Sequence, residues 1–248
     1  MILAPSTAEE SFYLTNKAFY LAEKYQIPVF ILGDQYLNDS SWTTEKFDLE
    51  KISTDKQSMI SDDDLKNLSP YQYKRYKITD SGISPRILPG ISNQVLCADS
   101  DEHTEEGHIT EAAEVRKNMV DKRLRKISSL IKEISPPKIY PNTTADIYIV
   151  SWGSTLETVK EAVNILRQEG KNIGYIHFSE VYPLRDDVIP REILKNSKLI
   201  GVENNATGQF AKLLKMEIGL GINNKILKYD GRPFNSHELV DKIKNIEG

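Results

Sequence analysis

The clearest pattern in the chain is a short apolar run followed by a helix with one apolar face. Residues 147–150 are continuously apolar, which predicts one buried strand, and Gly153 ends the run. Ser154, with Glu157 three residues later, has the spacing of a capping box that starts a helix. Apolar residues then recur at helical spacing: Leu156, Val159, Val163 and Leu166. Strand, glycine turn and one-faced helix predict the first half of a βαβ unit.

The same alternation continues to the end of the chain. Further strands are predicted at 173–178, 198–203 and 225–229. Helices are predicted at 188–195, from Thr207 to Ile218, and from Asn235 to Ile246. Strands that alternate with one-faced helices favour a parallel sheet covered on both faces, with right-handed crossovers. We therefore predict an α/β fold, with one parallel-sheet domain over residues 141–248.

The first 40 residues carry a second, smaller α/β pattern. Thr7 is predicted to cap a helix, with Glu10 at the capping-box position. The apolar face of this helix is predicted to be Leu14, Ala18, Leu21 and Tyr25. A β run follows at 29–32. About 35 residues cannot bury a sheet, so this piece is expected to dock on the later domain or on another polypeptide.

Residues 41–140 read as a linker region that contains one long helix. Polar residues dominate before residue 100, and a short strand is predicted between Tyr71 and Ile78. A helix is predicted at 111–133, with a heptad-like apolar seam formed by Val120, Leu124, Ile127, Ile131 and Ile134. The basic residues beside the seam are interpreted as a solvated face, with anion or partner binding as the alternative: Lys122, Arg123, Arg125 and Lys126.

The densest polar cluster is the segment 101–108. His103 and His108 are five residues apart, which does not place them on one helix face, so a metal site is weakly supported even with Cys97 nearby. The second interpretation is a polar loop that ends at Thr110, which would cap the next helix. The third is a loop that lines a binding site or a subunit contact.

Composition narrows the classes of function. The net charge of −4 gives no sign of a nucleic-acid partner. A single cysteine, Cys97, excludes an internal disulfide and an all-cysteine metal site made by this chain alone. No apolar run approaches the ~20 residues that span a bilayer, and the first residues do not have the pattern of a secretory signal. A cytoplasmic location is the resulting expectation.

The loops at the predicted strand ends contain no nucleotide-binding fingerprint. The segment 151–154 has one glycine and one possible cap, and it matches neither a G-x-G-x-x-G motif nor a P-loop. The segment 203–208 places an acid, two amides, a hydroxyl and a glycine at a strand-to-helix turn. That turn is interpreted as helix capping, with a specific contact to a neighbouring domain as the alternative.

Several segments, in order, resemble one family. They include Leu3-Ala4-Pro5-Ser6-Thr7, Asp34-Gln35-Tyr36-Leu37, Gly82-Ile83-Ser84-Pro85-Arg86, Asp101-Glu102-His103, Ser151-Trp152-Gly153-Ser154 and Glu203-Asn204-Asn205 with Thr207-Gly208-Gln209. Over nearly its whole length the chain resembles the C-terminal part of the α subunit of 2-oxoacid:ferredoxin oxidoreductases, the 2-oxoglutarate type in particular. The resemblance implies the end of a thiamine pyrimidine-binding domain at 1–40, a linker at 41–140, and a transketolase C-terminal-like domain at 141–248.

The resemblance also implies an activity and its partners. These enzymes decarboxylate a 2-oxoacid such as 2-oxoglutarate or pyruvate with coenzyme A, thiamine diphosphate, Mg and an iron–sulfur cluster, and pass electrons to ferredoxin. The family's Tyr-Pro-Ile-Thr-Pro-Ser motif and the β subunit's Gly-Asp-Gly motif are absent from this sequence. The expectation is a fragment or split subunit that binds no cofactor alone and needs a β subunit and the missing N-terminal part of α.

The site hypotheses follow from this resemblance, with no residue assigned as catalytic, cofactor-binding or metal-ligating. The residues expected at the edge of an assembled site or at an interface are Ser6, Thr7, Asp34, Gln35, His103, Glu105, Asn204, Asn205 and Gln209. The alternative function is a non-catalytic, transketolase-C-like module for assembly or dimerisation. A third alternative, the C-terminal region of another thiamine enzyme, is disfavoured by the segments 84–86 and 101–103.

Overall fold

A computed structural model describes residues 1–54, 58–141 and 144–247. The chain forms two compact units, which are described separately below. The first unit contains Met1–Ala18, Val29–Ile52 and Ile134–Gly248, and the second contains Phe19–Pro28 and Ser53–Glu133. The division at residues 40 and 140 that the sequence suggests remains a prediction.

The described regions contain strands and helices in the following order. The strands are β1 (Ile2–Leu3), β2 (Phe30–Ile31), β3 (Lys138–Tyr140), β4 (Ile147–Trp152), β5 (Ile173–Phe178), β6 (Glu180–Tyr182), β7 (Lys198–Glu203) and β8 (Asn224–Leu227). The helices are α1 (Ala8–Tyr25), α2 (Gln35–Asp39), α3 (Asp62–Asn67), α4 (Ala113–Leu130), α5 (Leu156–Gln168), α6 (Arg191–Asn196), α7 (Gln209–Ile218) and α8 (Ser236–Glu247).

The first unit is built on a five-stranded sheet with the order β3-β5-β4-β7-β8. Strand β4 is central and pairs in parallel with both neighbours, with Ile149 opposite Tyr175 of β5 and Ile200 of β7. Strand β8 is also parallel, whereas β3 runs antiparallel along β5. The predicted α/β class is confirmed, and β3 is an extra edge strand in the segment that the sequence suggested was a linker.

Helices cover both faces of this sheet, and each face has its own apolar core. On one face α5 and α8 pack through Val159, Val163 and Leu239, among others. On the other face α7 contributes Phe210 and Leu214. Each fully buried side chain of this size stabilises the fold by roughly 1.5–3 kcal/mol relative to its exposed state. The predicted apolar face of α5 is confirmed, because all four of its residues are buried.

The N-terminal segment of the first unit docks on the C-terminal part of the chain. Strand β1 lies between β2 and β6, parallel to β2 and antiparallel to β6. The Ala4 N–H donates to the Ser179 carbonyl at 2.8 Å and continues this attachment. The sequence analysis expects the N-terminal segment to dock on the later domain or on another polypeptide. In the structure it docks on the later domain, through β6.

The start of α5 differs from the predicted capping box. A 3₁₀ turn at Gly153–Thr155 precedes the helix, and Thr155 occupies the N-cap without a side-chain cap bond. The Ser154 hydroxyl donates to the Asp34 carboxylate instead. A tertiary hydrogen bond to a charged group is stronger than a local neutral cap, which explains the difference.

The start of α1 follows the prediction only in part. The Glu10 N–H donates to Thr7 Oγ1 at 3.1 Å, as a cap requires. The Glu10 carboxylate, however, accepts from the N–H of Ser6 rather than that of Thr7. In a standard capping box the Glu10 carboxylate would accept from the N–H of the N-cap residue, Thr7, whereas here it accepts from the residue before it.

The second unit contains α3, α4 and the last residues of α1, connected by long irregular segments. The predicted strand between Tyr71 and Ile78 is wrong: this stretch is built of turns, and Tyr71 has a positive φ of 65°. Thr110 does not cap α4 either, because the N-cap residue is Ala112. Tyrosine-rich spacing suggested a strand, but the described residues of this unit form no neighbouring strand that could pair with it.

Helix α4 exposes part of the predicted apolar seam, although Ile134 at the end of the seam is buried. Leu124 and Ile127 of the heptad-like seam are 56% and 41% exposed. The buried residues of α4 are Met119, Lys122, Lys126 and Leu130. The interpretation of the basic run as a solvated face is therefore wrong for two of its four members. Three- and four-residue spacing is present on both faces of the helix, so periodicity alone does not show that Lys122 and Lys126 are the more deeply buried residues.

Candidate functional site

A large pocket of the first unit lies at the carboxyl ends of its parallel strands. It has a volume of about 720 Å³ and is lined by residues from the segments 32–40, 152–155 and 228–233, together with Asn204. These segments follow β2, β4, β8 and β7 respectively. Ligands of open α/β sheets bind at this end, because the loops that leave the strands converge there. We call it the strand-end pocket.

One wall of the strand-end pocket is fixed by Asp34. Its Oδ1 accepts from the Leu37 N–H at 2.9 Å and caps the short helix α2. Its Oδ2 accepts from the hydroxyl of Ser154, which lies in the 3₁₀ turn after β4. One carboxylate thus joins the N-terminal segment to the central strand of the sheet.

The segment 228–233 contributes two basic residues to the lining of the pocket, Lys228 and Arg232. The ammonium group of Lys228 pairs with Glu238 at 2.7 Å and with Asp230 at 3.4 Å. The hydrogen bond to Glu238 is the main cause that raises the pKa of Lys228 above its usual range. Arg232 and Tyr229 also line the pocket. A pocket of this size with aromatic, acidic and basic walls suits a polar small molecule or a loop of a partner.

The turn after β7 is organised by a buried carboxylate, Glu203. Its two oxygens accept from the N–H groups of Phe210 and Ala211 at 2.8 and 2.9 Å. Asn205 also donates to Glu203, at 2.8 Å, and accepts from the Gln209 N–H at 3.2 Å. Anions are stabilised at a helix N-terminus, so Glu203 fixes the start of α7. The capping interpretation of this turn accounts for Asn205 and Gln209.

A second cluster of polar side chains surrounds His177 in the interior of the first unit. Its Nε2 lies 2.7 Å from Ser6 Oγ, and its Nδ1 lies 2.7 Å from Ser151 Oγ. Ser6 also lies 3.4 Å from Ser179 Oγ, which donates to the Glu10 carboxylate. Burial lowers the pKa of His177 to about 3, so the ring is neutral at physiological pH.

The Ser6–His177 pair has the spacing of a nucleophile and its base, but its environment indicates a structural role. Both side chains are fully buried. The second ring nitrogen meets the Ser151 hydroxyl rather than a carboxylate, so the ring lacks the directly bonded acid that supports an imidazolium in a catalytic triad. A neutral ring with such a low pKa is a poor base near pH 7. The pair connects the N-terminal segment to β5.

The structure brings three of the predicted site residues together. Asp34, Gln35 and Asn204 all line the strand-end pocket. Ser6 belongs to the His177 cluster, and Thr7 begins α1. His103 and Glu105 lie in the second unit and are described next. Their roles at an assembled site remain hypotheses.

In the second unit, His103 and Glu105 organise the loop before α4. The imidazole of His103 stacks on Tyr76 with the ring centroids 3.6 Å apart. Glu105 accepts from the Ile78 N–H at 2.8 Å and pairs with Lys74 at 2.9 Å. Although burial acts in the opposite direction, the bonds from Ile78 and Lys74 lower the pKa of Glu105. Both residues thus hold the segment 74–78 in place.

The metal interpretation of this loop gains no support from the geometry. Among the residues that the structure describes, no three His, Cys, Asp or Glu side chains are placed to hold one ion. Cys97 Sγ lies 3.2 Å from the Gly107 carbonyl and 3.8 Å from His108 Nδ1.

In the same described portion of the chain, no helix is long and apolar enough to cross a membrane.

Several of these residues carry no recognisable signal in the sequence. His177 lies within an otherwise apolar strand, and nothing in its neighbours indicates that Ser6 and Ser151 meet it. Lys228 and Arg232 follow the last strand, and no sequence motif distinguishes them from the other basic residues. Ser6 and His177 are 171 residues apart in the sequence, so only the folded chain shows that they meet.

Comparison with known families agrees with this architecture. A family model described as "Pyruvate flavodoxin/ferredoxin oxidoreductase, thiamine diP-bdg" matches residues 1–122. A second, described as "Pyruvate:ferredoxin oxidoreductase core domain II", matches residues 145–241. The two models together cover most of the chain and both describe the same enzyme family.

Individual relatives point to one subunit of these enzymes. The chain is 32% identical to the α subunit of 2-oxoacid:ferredoxin oxidoreductase 2 from Aeropyrum pernix, over 99% of this chain and 38% of the relative. It is 30% identical to the 2-oxoglutarate synthase subunit KorA from Methanocaldococcus jannaschii, over 82% of this chain and 52% of the relative. The chain thus spans about two fifths to one half of the length of these relatives.

A solved structure shares the fold over nearly the whole chain. It is the 2-oxoglutarate:ferredoxin oxidoreductase from Magnetococcus marinus with 2-oxoglutarate, coenzyme A and succinyl-CoA bound. The TM-score is 0.86 at 26% identity, over 98% of this chain and 41% of that chain. The chain belongs to the 2-oxoacid:ferredoxin oxidoreductase family and corresponds to part of its α subunit.

Proposed function

We propose that this chain forms part of the α subunit of an enzyme that oxidatively decarboxylates a 2-oxoacid, such as 2-oxoglutarate or pyruvate. The reaction would use thiamine diphosphate and coenzyme A and pass electrons to ferredoxin. The observation that carries this proposal is the shared fold, over 98% of the chain, with an oxidoreductase that holds 2-oxoglutarate and coenzyme A. The cell's cytoplasm is the proposed location.

We propose no iron–sulfur or metal site built by this chain alone. The sequence has one cysteine, which cannot ligate an iron–sulfur cluster alone. In the described part of the chain, no three potential ligands are grouped for a metal ion such as Mg. We therefore assign Mg, the iron–sulfur cluster and the diphosphate group of thiamine to other parts of the enzyme, including a β subunit. By itself the chain is expected to be inactive.

The proposed contribution of this chain is to shape the edge of the assembled site or a subunit contact. Residues 1–40 would be the end of the pyrimidine-binding domain, which places Ser6, Thr7, Asp34 and Gln35 toward the cofactor. The strand-end pocket supports this role, because Asp34 and Gln35 line it together with Asn204. His103 and Glu105 are the second candidates for such a contact.

The test is to purify the tagged chain anaerobically from its own cells and record the native mass, visible spectrum and activity. The expected result is a brown complex with further polypeptides that reduces an acceptor only when a 2-oxoacid and coenzyme A are both present. An Asp34→Asn variant of this complex should turn over more slowly, whereas Asp186→Asn, an exposed control, should not. A colourless protein that associates only with itself would contradict the proposal.

A non-catalytic assembly module is the second candidate, and one surface favours it. Strand β2 is a sheet edge, and Phe30, Ile31 and Leu32 are 59%, 40% and 43% exposed. Natural sheet edges are usually protected by charge, proline or a covering element. A complex that keeps full activity with Asp34→Asn but falls apart with Ile31→Lys would favour the assembly function.

A further inference from the structure

The second unit contains two lysines that are buried without an acidic partner. Lys122 is 5% exposed and Lys126 is 8% exposed. Neither forms an ion pair with any carboxylate in the described parts of the chain. Lysine is almost never buried this deeply unless it is paired, because a charge loses its hydration in the interior. The arrangement therefore needs a physical explanation.

The two lysines lie on one buried face of α4. They are four residues apart, which places them one helical turn from each other. The ammonium group of Lys126 donates to the Gln26 carbonyl at 3.2 Å. That of Lys122 lies 5.8 Å from the centroid of the Tyr76 ring.

A third cation, Arg75, completes the cluster. Its guanidinium group donates to Gln26 Oε1 at 3.0 Å and lies 5.1 Å from the Tyr76 ring centroid. Like the two lysines, it has no ion-pair partner among the described residues. We call Arg75, Lys122 and Lys126 the cation cluster.

The charged residues around the cluster leave its positive charge uncompensated. Arg123 is neutralised by a two-bond contact with Glu102, at 3.1 and 2.8 Å. Glu105 is the nearby acid whose charge favours the ammonium form of Lys122, but it is already paired with Lys74. The acids around the cluster, Glu102 and Glu105, are therefore already paired with other basic residues.

The titration of the lysines is consistent with this geometry. Burial is the main cause that lowers the pKa of Lys122 and of Lys126 to about 8 each. The positive charges of Arg75 and Arg123 lower both values further, and that of Lys126 acts on Lys122. A bound anion would restore both ammonium groups to their usual range.

The backbone at the cluster is also held in an unusual conformation. Gln26, whose carbonyl and side chain bind Lys126 and Arg75, has a positive φ of 51°. Its side-chain amide donates to the Ser84 carbonyl at 2.5 Å. Non-glycine residues adopt this region at a cost, and such residues cluster at binding sites.

We propose that the cation cluster, Arg75, Lys122 and Lys126, is a binding site for a phosphate-type dianion. Two ammonium groups and one guanidinium group match the charge and the several acceptor oxygens of such a ligand. The dianion is either a free ion or the phosphate ester of a larger molecule. The site belongs to this chain alone and does not depend on the proposed activity.

The first test measures whether phosphate stabilises the full chain. Thermal unfolding at pH 7 is followed in increasing inorganic phosphate and in sodium chloride of equal ionic strength. The expected result is a saturable rise of the midpoint in phosphate only. Lys122→Met keeps the length of the side chain without its charge and should abolish this rise. Lys117→Met is the control, since Lys117 lies on the same helix with a side chain that is 74% exposed. Equal rises in both salts, or a full rise with Lys122→Met, would refute the site.

A second test uses the wild-type chain and remains decisive if the variant does not fold. Sulfate keeps a charge of −2 at every pH above neutrality, so any change in its affinity comes from the protein. Between pH 7 and pH 9 the affinity should fall by about tenfold or more, because the two lysines lose their protons. Calorimetric titration gives the affinity. A constant affinity over this range would overturn the proposal.

The source of the dianion is decided by comparing two probes in the same assay. If phenyl phosphate binds as tightly as inorganic phosphate, the site accepts the phosphate group of a larger ligand. If the ester is rejected while inorganic phosphate binds, the site takes the free ion. Either result supports the site, and binding of neither probe contradicts it.

Discussion

Ser6 Oγ and His177 Nε2 lie 2.7 Å apart in the fully buried interior of the first unit. Ser6 follows β1 near the N-terminus, and His177 lies in β5 of the main sheet. This hydrogen bond, together with the pairing of β1 and β6, attaches the start of the chain to its C-terminal half. The stability of the first unit should therefore depend on it.

Replacing Ser6 tests this attachment. Ser6→Ala leaves a buried ring nitrogen without its partner and should lower the free energy of unfolding by about 2 kcal/mol. Urea unfolding followed by tryptophan fluorescence is a suitable measurement, because Trp42 and Trp152 both belong to the first unit. Ser128→Ala, at an exposed position of α4, is the control and should change stability by less than about 0.5 kcal/mol. An equally small effect of Ser6→Ala would show that the hydrogen bond contributes nothing.

The buried histidine should make the first unit sensitive to mild acid. The folded pKa of His177, about 3, lies below the ordinary value of 6.5, so the unfolded chain binds the extra proton between these limits. Stability should therefore fall as the pH decreases below 6.5, by up to about 1.4 kcal/mol per pH unit from this group. The nearby charges are Glu10, which favours the protonated ring, and Lys138, which opposes it.

The pH dependence is measured by urea unfolding of the wild type and of His177→Gln between pH 5 and 6.5. Hydrogen bonds from Lys138 and Ser6 lower the pKa of Glu10, although burial alone would raise it. The stability that Glu10 contributes is lost only as the pH falls below its ordinary value of 4.5, outside this window. The variant should show the smaller slope. Identical slopes would mean that His177 is not buried in its neutral form.

Glu203 should be essential for the start of α7. Its carboxylate accepts two backbone N–H groups in the interior, so Glu203→Ala should cost about 2–4 kcal/mol. Glu203→Gln keeps one oxygen acceptor and should cost less. Glu217→Ala, at an exposed position of the same helix, is the matched control. The midpoint of urea unfolding by tryptophan fluorescence separates the three, and equal midpoints for Glu203→Ala and Glu217→Ala would exclude a capping role.

Alanine substitutions at two glycines of the second unit, Gly82 and Gly90, distinguish the cost of backbone strain from the cost of a steric clash. Gly82 and Gly90 both have positive φ, 76° and 86°. A Cβ at Gly82 would lie 2.2 Å from the Lys122 carbonyl oxygen, whereas nothing lies within 4 Å of a Cβ at Gly90. Gly90→Ala should therefore cost only about 1 kcal/mol of strain. Gly82→Ala should cost at least about 2 kcal/mol more, because backbone must move.

Circular dichroism at 222 nm during thermal unfolding suits this comparison, since α4 is the longest helix that belongs wholly to the second unit. A similar loss in both variants would show that the backbone around Gly82 relaxes readily. It would also mean that the cation cluster beside it is less rigid than its contacts suggest.

The sequence determined the α/β framework of the first unit and the family to which the chain belongs. The strands near 147, 173 and 198 and the helix with Val159 and Val163 follow from local apolar patterns, because a buried strand or helix face must be apolar whatever it packs against. Family motifs were recognised in the same way, as residues adjacent in the sequence. Helix α4 shows the limit, since Leu124 and Lys122 both fit a helical face.

Tertiary structure alone decided which groups meet. In the folded chain the lysine-bearing face of α4 is buried. The Ser154 hydroxyl donates to Asp34 instead of capping its own helix. The fold also brings His177 between Ser6 and Ser151. The free energy of each contact depends on a partner supplied by a distant segment and on the water that folding removes from both. Neither quantity is encoded in the neighbours of a residue along the chain, which is why local patterns cannot predict these contacts.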